Sequence, residues 1–590
     1  CVGSRNPKLG KDYCSQVCCK ISMRHAAKLT DLIPDARITL FYMDLQIIGK
    51  ETRTLARELA GKIDLVQGVP AEILKNPETG RLSMITEDSE TGTRIKNEFD
   101  LVVLSVGMTP SEGAEPTWEA LGVRPNPWGF FNTPEACLEK GIHVAGCAQG
   151  PKDILESRQQ GVLAGAQILK ELGMAPDPKI TLAVTGSGPQ AGAVAQAAAD
   201  QGYHVVCFGD PQGLAHDRIQ KLGGAKILAV EGTAGNFNIV VREAQKVKTM
   251  VCGAIIAANE PLSQSGRHHE GLGQALDLDD FARLTPDRLP EQTVIVLDYF
   301  GPEFKAEAAK ALDAAMTAAE HKKQVFILMN KILVHSPQGQ RRYDRARKMG
   351  IRFLRYQDPR DLTLSPRENG FRVKVREATL PGRELDLGDL CLVMPASVKA
   401  APGFEALAGL LKDQIDREGF LQSANVRHRI SQSPRKGIFY CGACHDESDP
   451  MDLETQISEV LSTILIMDFP SAAKDSGVFI NEKKCAKCLT CYRICPHRAI
   501  ILNEKTRPQI MPEACFSCHL CMSNCPALAI ESDNYANAQV TEMISPFKTG
   551  KKPTVVLACE RSAALAAAPL DLPDHICLIP VPCACRISPA

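Results

Sequence analysis

A dense group of cysteines lies near the C-terminus of the chain. The stretches CAKCLTCYRICP, residues 485–496, and CFSCHLCMSNCP, residues 515–526, both have the spacing C-x2-C-x2-C-x3-C-P. With this spacing, three thiolates surround one cubane and the fourth reaches across to a second cubane. The motif therefore predicts two [4Fe–4S] clusters. Their ligands are Cys485, Cys488, Cys491 and Cys525 for the first, and Cys515, Cys518, Cys521 and Cys495 for the second.

A pair of zinc sites is the alternative interpretation of these cysteines. Structural zinc is usually held by two C-x2-C knuckles separated by a longer loop, and two complete four-cysteine copies fit that pattern poorly. The related segments AIILNE and AIESDN follow the two copies. They indicate an internal repeat of the bacterial two-cluster ferredoxin kind, which carries single electrons and hosts no reaction of its own.

Four more cysteines lie in the first nineteen residues, CVGSRNPKLGKDYCSQVCC. A disulfide framework is disfavoured for the 23 cysteines of this chain, because such frameworks belong to small domains and 590 residues can bury large cores. A metal site is one interpretation of the N-terminal group, and buried structural thiols are the other, since cysteine is often buried. The four are Cys1, Cys14, Cys18 and Cys19.

The composition excludes several classes of protein. The net charge of −1 argues against a nucleic-acid groove and against a polybasic membrane-binding face. No apolar run approaches the roughly 20 residues that span a bilayer, so no transmembrane segment is expected. No signal peptide is visible, but the sequence does not begin with Met, so the prediction of localisation rests on the cysteines. Their metal-type spacing predicts a cytoplasmic protein.

The elements that must position the cysteines are repeated along the chain. ARITLFYMDLQIIG and KQVFILMNKILVHS, in blocks that start at residues 36 and 323, each predict a strand that is followed by a charged helix and another strand. Further on, GIHVAGCAQGPKD at 141 matches GIFYCGACHDESD at 437. The offset stays between about 287 and 296 residues, which indicates a duplicated α/β module rather than a solenoid.

A glycine-rich loop opens the second module. The segment ITLAVTGSGPQAGAVAQAAADQGYHVVCFGD predicts a strand, a G-x-G-x-x-A loop, a helix and a strand. Gly186, Gly188 and Ala191 fit a dinucleotide-binding loop, whose helix N-terminus faces the ligand phosphates. Gly209 replaces the acidic residue expected after the next strand, and Asp210 comes one place late. Two outcomes stay open, a bound dinucleotide or a retained but empty scaffold.

On these motifs the chain resembles the HdrA family of heterodisulfide reductase iron–sulfur flavoproteins, including its QmoB-type relatives. The resemblance rests on CVGSR followed by YCSQVCC, on GIHVAGCAQGPKDI and on the two-cluster ferredoxin motif. It implies two thioredoxin-reductase-like modules in tandem, each built from two dinucleotide-binding domains, and then an α+β ferredoxin domain. The expected ranges are 1–175 for the first module, which lacks its front half and its FAD loop, 178–470 for the second, and 476–535 for the ferredoxin domain.

The resemblance also implies cofactors and site residues. It implies FAD and three [4Fe–4S] clusters in an oxidoreductase of anaerobic energy metabolism that moves electrons between the flavin and the clusters. Cys1, Cys14, Cys18 and Cys19 are implied as ligands of a cluster near the flavin. The second module lacks all four cysteines, which fits one site deleted as a unit. The loop implied to line the flavin contains Gly146, Cys147, Ala148, Gln149 and Gly150.

The helix after the flavin loop is predicted to start near Ser157 and to aim its N-terminus at the flavin ring. No catalytic residue is assigned. Arg24 occupies a position at which bifurcating relatives often have Lys, so flavin-based bifurcation stays open. We expect one FAD per complete chain, held by the first module.

The tail, residues 550–590, resembles the start of an MvhD-like iron–sulfur domain. Cys559 and Cys583 match its cysteines, whereas Ser562 and Cys585 depart from the pattern, so a [2Fe–2S] site there would be incomplete. The resemblance implies partners from an HdrA- or Qmo-type complex. These are HdrB- and HdrC-like subunits, a hydrogenase or formate dehydrogenase, or membrane subunits linked to quinone.

Two other functions remain open. An NAD(P)H-dependent disulfide or thiol reductase would need a redox-active cysteine pair that faces the flavin, and the candidate pair is Cys441 and Cys444. The other function is that of a non-catalytic assembly scaffold, in which the clusters are structural.

Overall fold

The structure is a computed structural model. It describes residues 3–532 except for 90–91, 132–140, 174, 178, 215, 300–304, 333, 335–338, 379–382, 427–428, 446–449, 468–476, 498, 504 and 516. Beyond residue 532 it describes 542, 554–559, 564, 573 and 576–581. Within these residues, no helix has both the length and the apolar character needed to cross a membrane.

The first module begins with the cysteine-bearing helix. Its described helices are α1 (Cys18–Leu32), α2 (Lys50–Leu59), α3 (Ala114–Leu121) and α4 (Ile154–Glu171). Its strands are β1 (Thr39–Tyr42), β2 (Asp64–Gln67), β3 (Pro70–Lys75), β4 (Leu82–Asp88) and β5 (Thr93–Phe99). β1 and β2 pair in parallel, and β3, β4 and β5 form an antiparallel sheet. Helix α1 packs on α2 through an apolar cluster that includes Met23, Ala26 and Leu59.

One apolar segment of the first module is largely exposed. Leu101 and Val103 are 74% and 71% exposed and lie outside the named strands. Their counterparts in the repeat, Leu390 and Leu392, are buried in a strand that pairs with a parallel neighbour. The two modules therefore share this apolar sequence pattern, but only in the second module is it covered and paired within a sheet.

The second module begins with a five-stranded sheet in which every pairing is parallel. The strands are β6 (Thr181–Thr185), β7 (His204–Phe208), β8 (Ile219–Leu222), β12 (Ala254–Ala257) and β22 (Ile438–Tyr440). Their order, β22-β12-β6-β7-β8, is that of a dinucleotide-binding domain. Helices α5 (Pro189–Asp200) and α10 (Pro450–Leu465) cover one face. The other face packs against β9 (Lys226–Thr233), β10 (Asn236–Glu243), β11 (Lys246–Cys252) and α9 (Gly403–Leu411).

Small residues explain why α5 lies so close to this sheet. Ala191, Ala195 and Ala198 are fully buried, so the helix presents mainly small side chains to the strands. Gly192 is required by close approach, because a Cβ added there would lie 1.8 Å from the carbonyl oxygen of Gln212. The glycine-rich loop and the start of α5 are thus positioned by backbone packing.

A second sheet of the same kind completes this module. Strands β14 (Leu276–Asp277), β15 (Gln292–Val296), β16 (Gln324–Met329), β17 (Arg352–Arg355) and β20 (Glu384–Met394) pair in parallel. Strands β18 (Leu362–Arg367) and β19 (Gly370–Arg376) extend β20 as an antiparallel meander. The remaining elements are β13 (Leu262–Gln264), β21 (Ser397–Lys399), α6 (Leu278–Ala282), α7 (Lys305–Glu320) and α8 (Gly339–Lys348). Two dinucleotide-type α/β sheets in one module confirm the predicted fold class.

The C-terminal part contains a small α+β domain. Strands β23 (Val478–Ile480) and β26 (Ile530–Ser532) pair with each other, as do β24 (Ile500–Leu502) and β25 (Pro508–Ile510). Two short helices, α11 (Thr490–Ile494) and α12 (Leu520–Ser523), pack together between these ribbons. In the tail, β27 (Thr554–Cys559) pairs in parallel with β28 (Ile576–Val581).

The two modules contact each other through equivalent helices, α4 and α10. The carboxylate of Glu459 on α10 is 1% exposed and forms an ion pair with Arg158 on α4. It also accepts hydrogen bonds from Gln159 Nε2 and Ser431 Oγ, both at 3.1 Å. The contacts of Glu459 with Arg158 and Gln159 stabilise the packing of the two modules. Without this carboxylate, the buried donors that it accepts from would have no hydrogen-bond acceptor.

We expect Glu459→Ala to lower the midpoint of thermal unfolding. The buried groups of Gln159 and Ser431 would lose their acceptor, at a cost of about 1–3 kcal/mol for each unsatisfied group. Glu454→Ala is the matched control, because Glu454 lies exposed on the same helix. Differential scanning calorimetry of the two variants compares the effects, and equal midpoints would contradict the role given to Glu459.

Candidate functional site

The first four-cysteine set of the C-terminal domain lines one pocket. Its cysteines are Cys485, Cys488, Cys491 and Cys525, and apolar residues such as Ile480 and Ile530 fill the spaces between them. Lys487 and Leu489 have φ angles of 56° and 58°, so the loop winds through left-handed conformations between its cysteines. This winding places three nearby cysteines on one pocket, while Cys525 comes from the other copy of the motif.

The second set lines a second pocket with the same design. Its cysteines are Cys495, Cys515, Cys518 and Cys521. Ser517 and His519, which correspond to Lys487 and Leu489, also have positive φ angles, of 47° and 59°. The fourth cysteine of each motif therefore lies at the pocket of the other motif. Among the described residues, no three His, Cys, Asp or Glu side chains form a group that could hold a single metal ion.

The surroundings of these thiols shift their pKa values in different directions. Burial is the largest cause that raises the pKa of Cys521, to about 12, and neighbouring cysteines raise it further. Burial also raises the pKa of Cys491. Cys488 is exposed, and a hydrogen bond to Thr490 lowers its pKa. Since iron binds the thiolate form, buried thiols would release protons when a cluster forms.

The N-terminal cysteines also converge on a pocket. Cys14, Cys18 and Cys19 line it together with Arg5, Asp44, Gln46 and Ser105, among other residues. Cys1, the fourth ligand implied by the resemblance, lies outside the described residues. Helix α1 begins at Cys18, so its first turn carries two of the three sulfurs.

Backbone N–H groups point at two of these sulfurs. Gln16 N donates to Cys14 Sγ at 3.3 Å, and Gln46 N donates to Cys19 Sγ at 3.4 Å. Burial is the largest cause that raises the pKa of all three thiols. N–H donors that stabilise negative sulfur are one of the means by which proteins tune iron–sulfur clusters. The three thiols and their N–H donors therefore fit a cluster.

The cysteine pocket is bonded to the segment that directly follows the loop predicted to line the flavin. Gln16 Nε2 donates to the carbonyl oxygen of Pro151 at 3.0 Å. Lys20 on α1 forms an ion pair with Asp153, and both side chains are largely buried. Asp153 in turn caps α4 by accepting from Glu156 N at 2.9 Å. The two predicted sites are thus neighbours that share rigid contacts.

The predicted flavin loop itself forms a single 3-10 turn, Gly146–Ala148. Gly146 N donates to Gln160 Oε1 at 2.9 Å, and Gln160 Nε2 donates to Gln149 Oε1 at 2.7 Å. Helix α4 begins at Ile154, so the predicted start near Ser157 was wrong by one turn. The reason is the capping box that Asp153 forms with Glu156, a signal that the sequence contained.

The residues predicted to form the nucleotide-binding loop of the second module lie at the junction of a strand and a helix. Gly186 and Gly188 form the turn between β6 and α5, and Ala191 is buried in the first turn of that helix. Gln456 Oε1 accepts from Gly442 N at 2.9 Å, which repeats the role of Gln160 in the first module. Sequence reasoning missed these two glutamines, although their equal positions in the repeat were a signal.

The cysteine pair proposed for a disulfide reductase is buried. Cys441 and Cys444 are both fully buried, and Cys444 Sγ donates to the carbonyl oxygen of Ala257 at 3.2 Å. Burial raises the pKa of Cys441 well above its usual value. Such thiols are poor nucleophiles, so the arrangement disfavours that function. In the tail, the Cys559 side chain and residues 583 and 585 lie outside the described part.

Comparisons with known proteins identify the C-terminal domain. Residues 478–531 match the family model of the 4Fe–4S dicluster domain.

The HdrA protein of the H2:CoB–CoM heterodisulfide,ferredoxin reductase from Methanothermobacter marburgensis is 38% identical over 175 residues, which are 28% of this chain and 26% of that protein. One of the two HdrA iron–sulfur proteins of the CoB–CoM heterodisulfide reductase from Methanopyrus kandleri is 40% identical over 176 residues, 28% of this chain and 27% of that protein. The chain thus spans about a quarter of the length of these relatives.

Solved structures with loose similarity include two reductases. The thioredoxin reductase of T. acidophilum has a TM-score of 0.32 at 12% identity and covers 48% of this chain and 96% of its own. The flavoprotein disulfide reductase RclA from Escherichia coli has a TM-score of 0.31 at 11% identity and covers 48% of this chain and 71% of its own. Over the matched segment, the chain is a relative of the HdrA iron–sulfur proteins of heterodisulfide reductases.

Proposed function

We propose that the chain is an iron–sulfur flavoprotein that transfers electrons between FAD and [4Fe–4S] clusters, as an oxidoreductase of the HdrA kind within a larger complex. The observation that carries the proposal is the grouping of the eight motif cysteines of residues 478–531 around two separate pockets, four at each. Two cubanes bound there would carry single electrons through this domain. The similarity to heterodisulfide reductase proteins supports the same role.

The first module would hold the FAD and a third cluster. When bound, FAD supplies the exchange between electron pairs and single electrons. The loop Gly146–Gly150 would line it, and the N-terminus of α4 would favour its electron-rich reduced form. Cys14, Cys18 and Cys19 would hold the third cluster, with Cys1 as the ligand implied by the resemblance.

Contacts between the two sites support electron transfer at short range. The Gln16–Pro151 hydrogen bond and the Lys20–Asp153 ion pair hold helix α1 against the flavin loop. Gln16 Oε1 is buried and has no hydrogen-bond partner in the described part of the chain. A buried acceptor in this position would suit an N–H group of a bound ligand.

The C-terminal domain would pass electrons to a partner protein. Cys488 and the aromatic ring of Tyr492 are exposed beside the first pocket, so an electron could leave from this edge. By the resemblance, partners would be HdrB- and HdrC-like subunits, a hydrogenase or formate dehydrogenase, or quinone-linked membrane subunits. Bifurcation is not part of the proposal, because Arg24 is held by Glu51 in a two-point ion pair, with Nε to Oε1 at 3.0 Å.

Anaerobic reduction of the complete protein, followed by EPR spectroscopy and by iron and flavin analysis, tests the proposal. We expect one FAD and about 12 iron atoms per chain, the content of three [4Fe–4S] clusters. Clusters that cannot be reduced at physiological potentials would favour the scaffold function. Zinc in place of iron would contradict the proposal outright.

A further inference from the structure

The glycine-rich loop of the second module contacts a carboxylate of its own chain. Helix α5 follows Gly188, and in dinucleotide-binding domains the first N–H groups of this helix face the pyrophosphate. Here the N–H of Gln190 donates to Oε1 of Glu260, at a distance of 3.1 Å. The donor expected to hold a phosphate oxygen therefore already has an anionic acceptor.

The Glu260 carboxylate lies directly against Gly188. A Cβ added at Gly188 would be 2.7 Å from Oε1 and 2.8 Å from Oε2 of Glu260. The missing side chain at this position lets a pyrophosphate approach the backbone in dinucleotide-binding domains. In this module it lets the carboxylate approach instead, and the helix N-terminus favours its negative charge.

The side chain of Gln190 contacts a second loop of the module. Its Oε1 accepts from the N–H of Ala443 at 3.0 Å. A Cβ added at Gly442 would lie 1.9 Å from the same oxygen. Gly442 and Ala443 belong to the loop that corresponds to Gly146–Gly150 of the first module. The two loops between which a dinucleotide would lie are therefore joined by one side chain.

The corresponding loop of the first module has open space at its glycines among the described residues. At Gly146 the nearest atoms to an added Cβ are those of Ser157, at 3.6 Å or more. At Gly150 nothing lies within 4 Å.

The backbone holds Glu260 in this position. Asn259 Oδ1 accepts from Thr185 Oγ1 at 2.9 Å, which fastens the segment after β12 to β6. A Cβ added at Gly186 would lie 2.4 Å from the carbonyl oxygen of Ala258, so this segment packs closely on the glycine loop. Pro261 further restricts the conformation of Glu260.

We propose that Glu260 is a specificity-determining residue that excludes dinucleotides from the second module, with Gln190 as the second part of the obstruction. The carboxylate occupies the position that a pyrophosphate would take and supplies a negative charge there. The second module then serves as a packing partner of the first, which explains the expected single FAD per complete chain. This inference does not depend on the clusters or on electron transfer.

Binding of ADP to the whole chain tests the inference. Hydrogen–deuterium exchange mass spectrometry locates any bound ADP by protection of residues 186–192. We expect Glu260→Ala to bind ADP at this loop at least about tenfold more tightly than the wild type, because the obstruction and its charge are removed. Glu231→Ala is the matched control, since it removes one exposed acidic side chain from the same domain and should behave as the wild type.

Glu260→Asp provides a second variant in case the alanine variant does not fold. It keeps the charge and withdraws the carboxylate by one methylene, so we expect a smaller gain in ADP affinity. Circular dichroism establishes folding for each variant. ADP-dependent protection of residues 186–192 in the wild type, equal to that in the variants, would overturn the inference. Folded Glu260 variants that gain no affinity for ADP would also overturn it.

Discussion

A Cys18→Ser, Cys19→Ala variant of the complete protein should keep a flavin that its donor reduces, while the C-terminal clusters stay oxidised far longer than in the wild type. The proposed N-terminal cluster would be the first one-electron station after the two-electron FAD. Both cysteines line the N-terminal pocket, and Cys19 receives a backbone N–H from Gln46. Their removal should therefore interrupt the path without touching either end of it.

Rapid mixing with the electron donor measures this effect. The flavin absorbance should bleach at its normal rate, and the cluster absorbance of residues 485–525 should lag. Cys391→Ser is a suitable control, because Cys391 is a partly buried thiol in β20, away from the pocket. Structural thiols would at most reduce stability by a few kcal/mol, about the cost of core truncations, and would not block one step selectively. Equal rates of cluster reduction in the variant and the wild type would show that these cysteines serve only in packing and bind no cluster.

Cys491→Ser should abolish or convert one cluster of the C-terminal domain and leave the other intact. Cys491 is buried in the first pocket, whereas the second pocket has its own four cysteines. Loss of the cluster would remove about four iron atoms per chain, and conversion to a three-iron cluster would remove about one. The effect on iron content should be large because each proposed cubane depends on four protein ligands.

Iron analysis together with EPR of the reduced protein distinguishes these results. Cys252→Ser is the control, because Cys252 is 1% exposed in the core of the second module and lies outside both pockets. Its replacement should affect stability but not the amount of iron. An iron content in Cys491→Ser equal to that of the wild type would refute the ligand assignment.

Local patterns in the sequence predicted much of this protein. The C-x2-C-x2-C-x3-C-P motif predicts which cysteines lie together at each pocket, because three of the four come from one short loop. The duplicated α/β modules were visible because strand and helix periodicity depends on near neighbours in the chain. The start of α4 was also determined locally, by Asp153 and Glu156, although we expected it three residues later.

Contacts between distant residues were decided only by the tertiary structure. Lys20 and Asp153 are 133 positions apart, and their ion pair sets the cysteine pocket against the flavin loop. Glu260 lies 70 positions from Gln190, and Ala443 lies 253 positions from it. The G-x-G-x-x-A motif could therefore predict a nucleotide loop but not its obstruction. A motif specifies local backbone shape, whereas access to that backbone depends on side chains that folding brings from elsewhere in the chain.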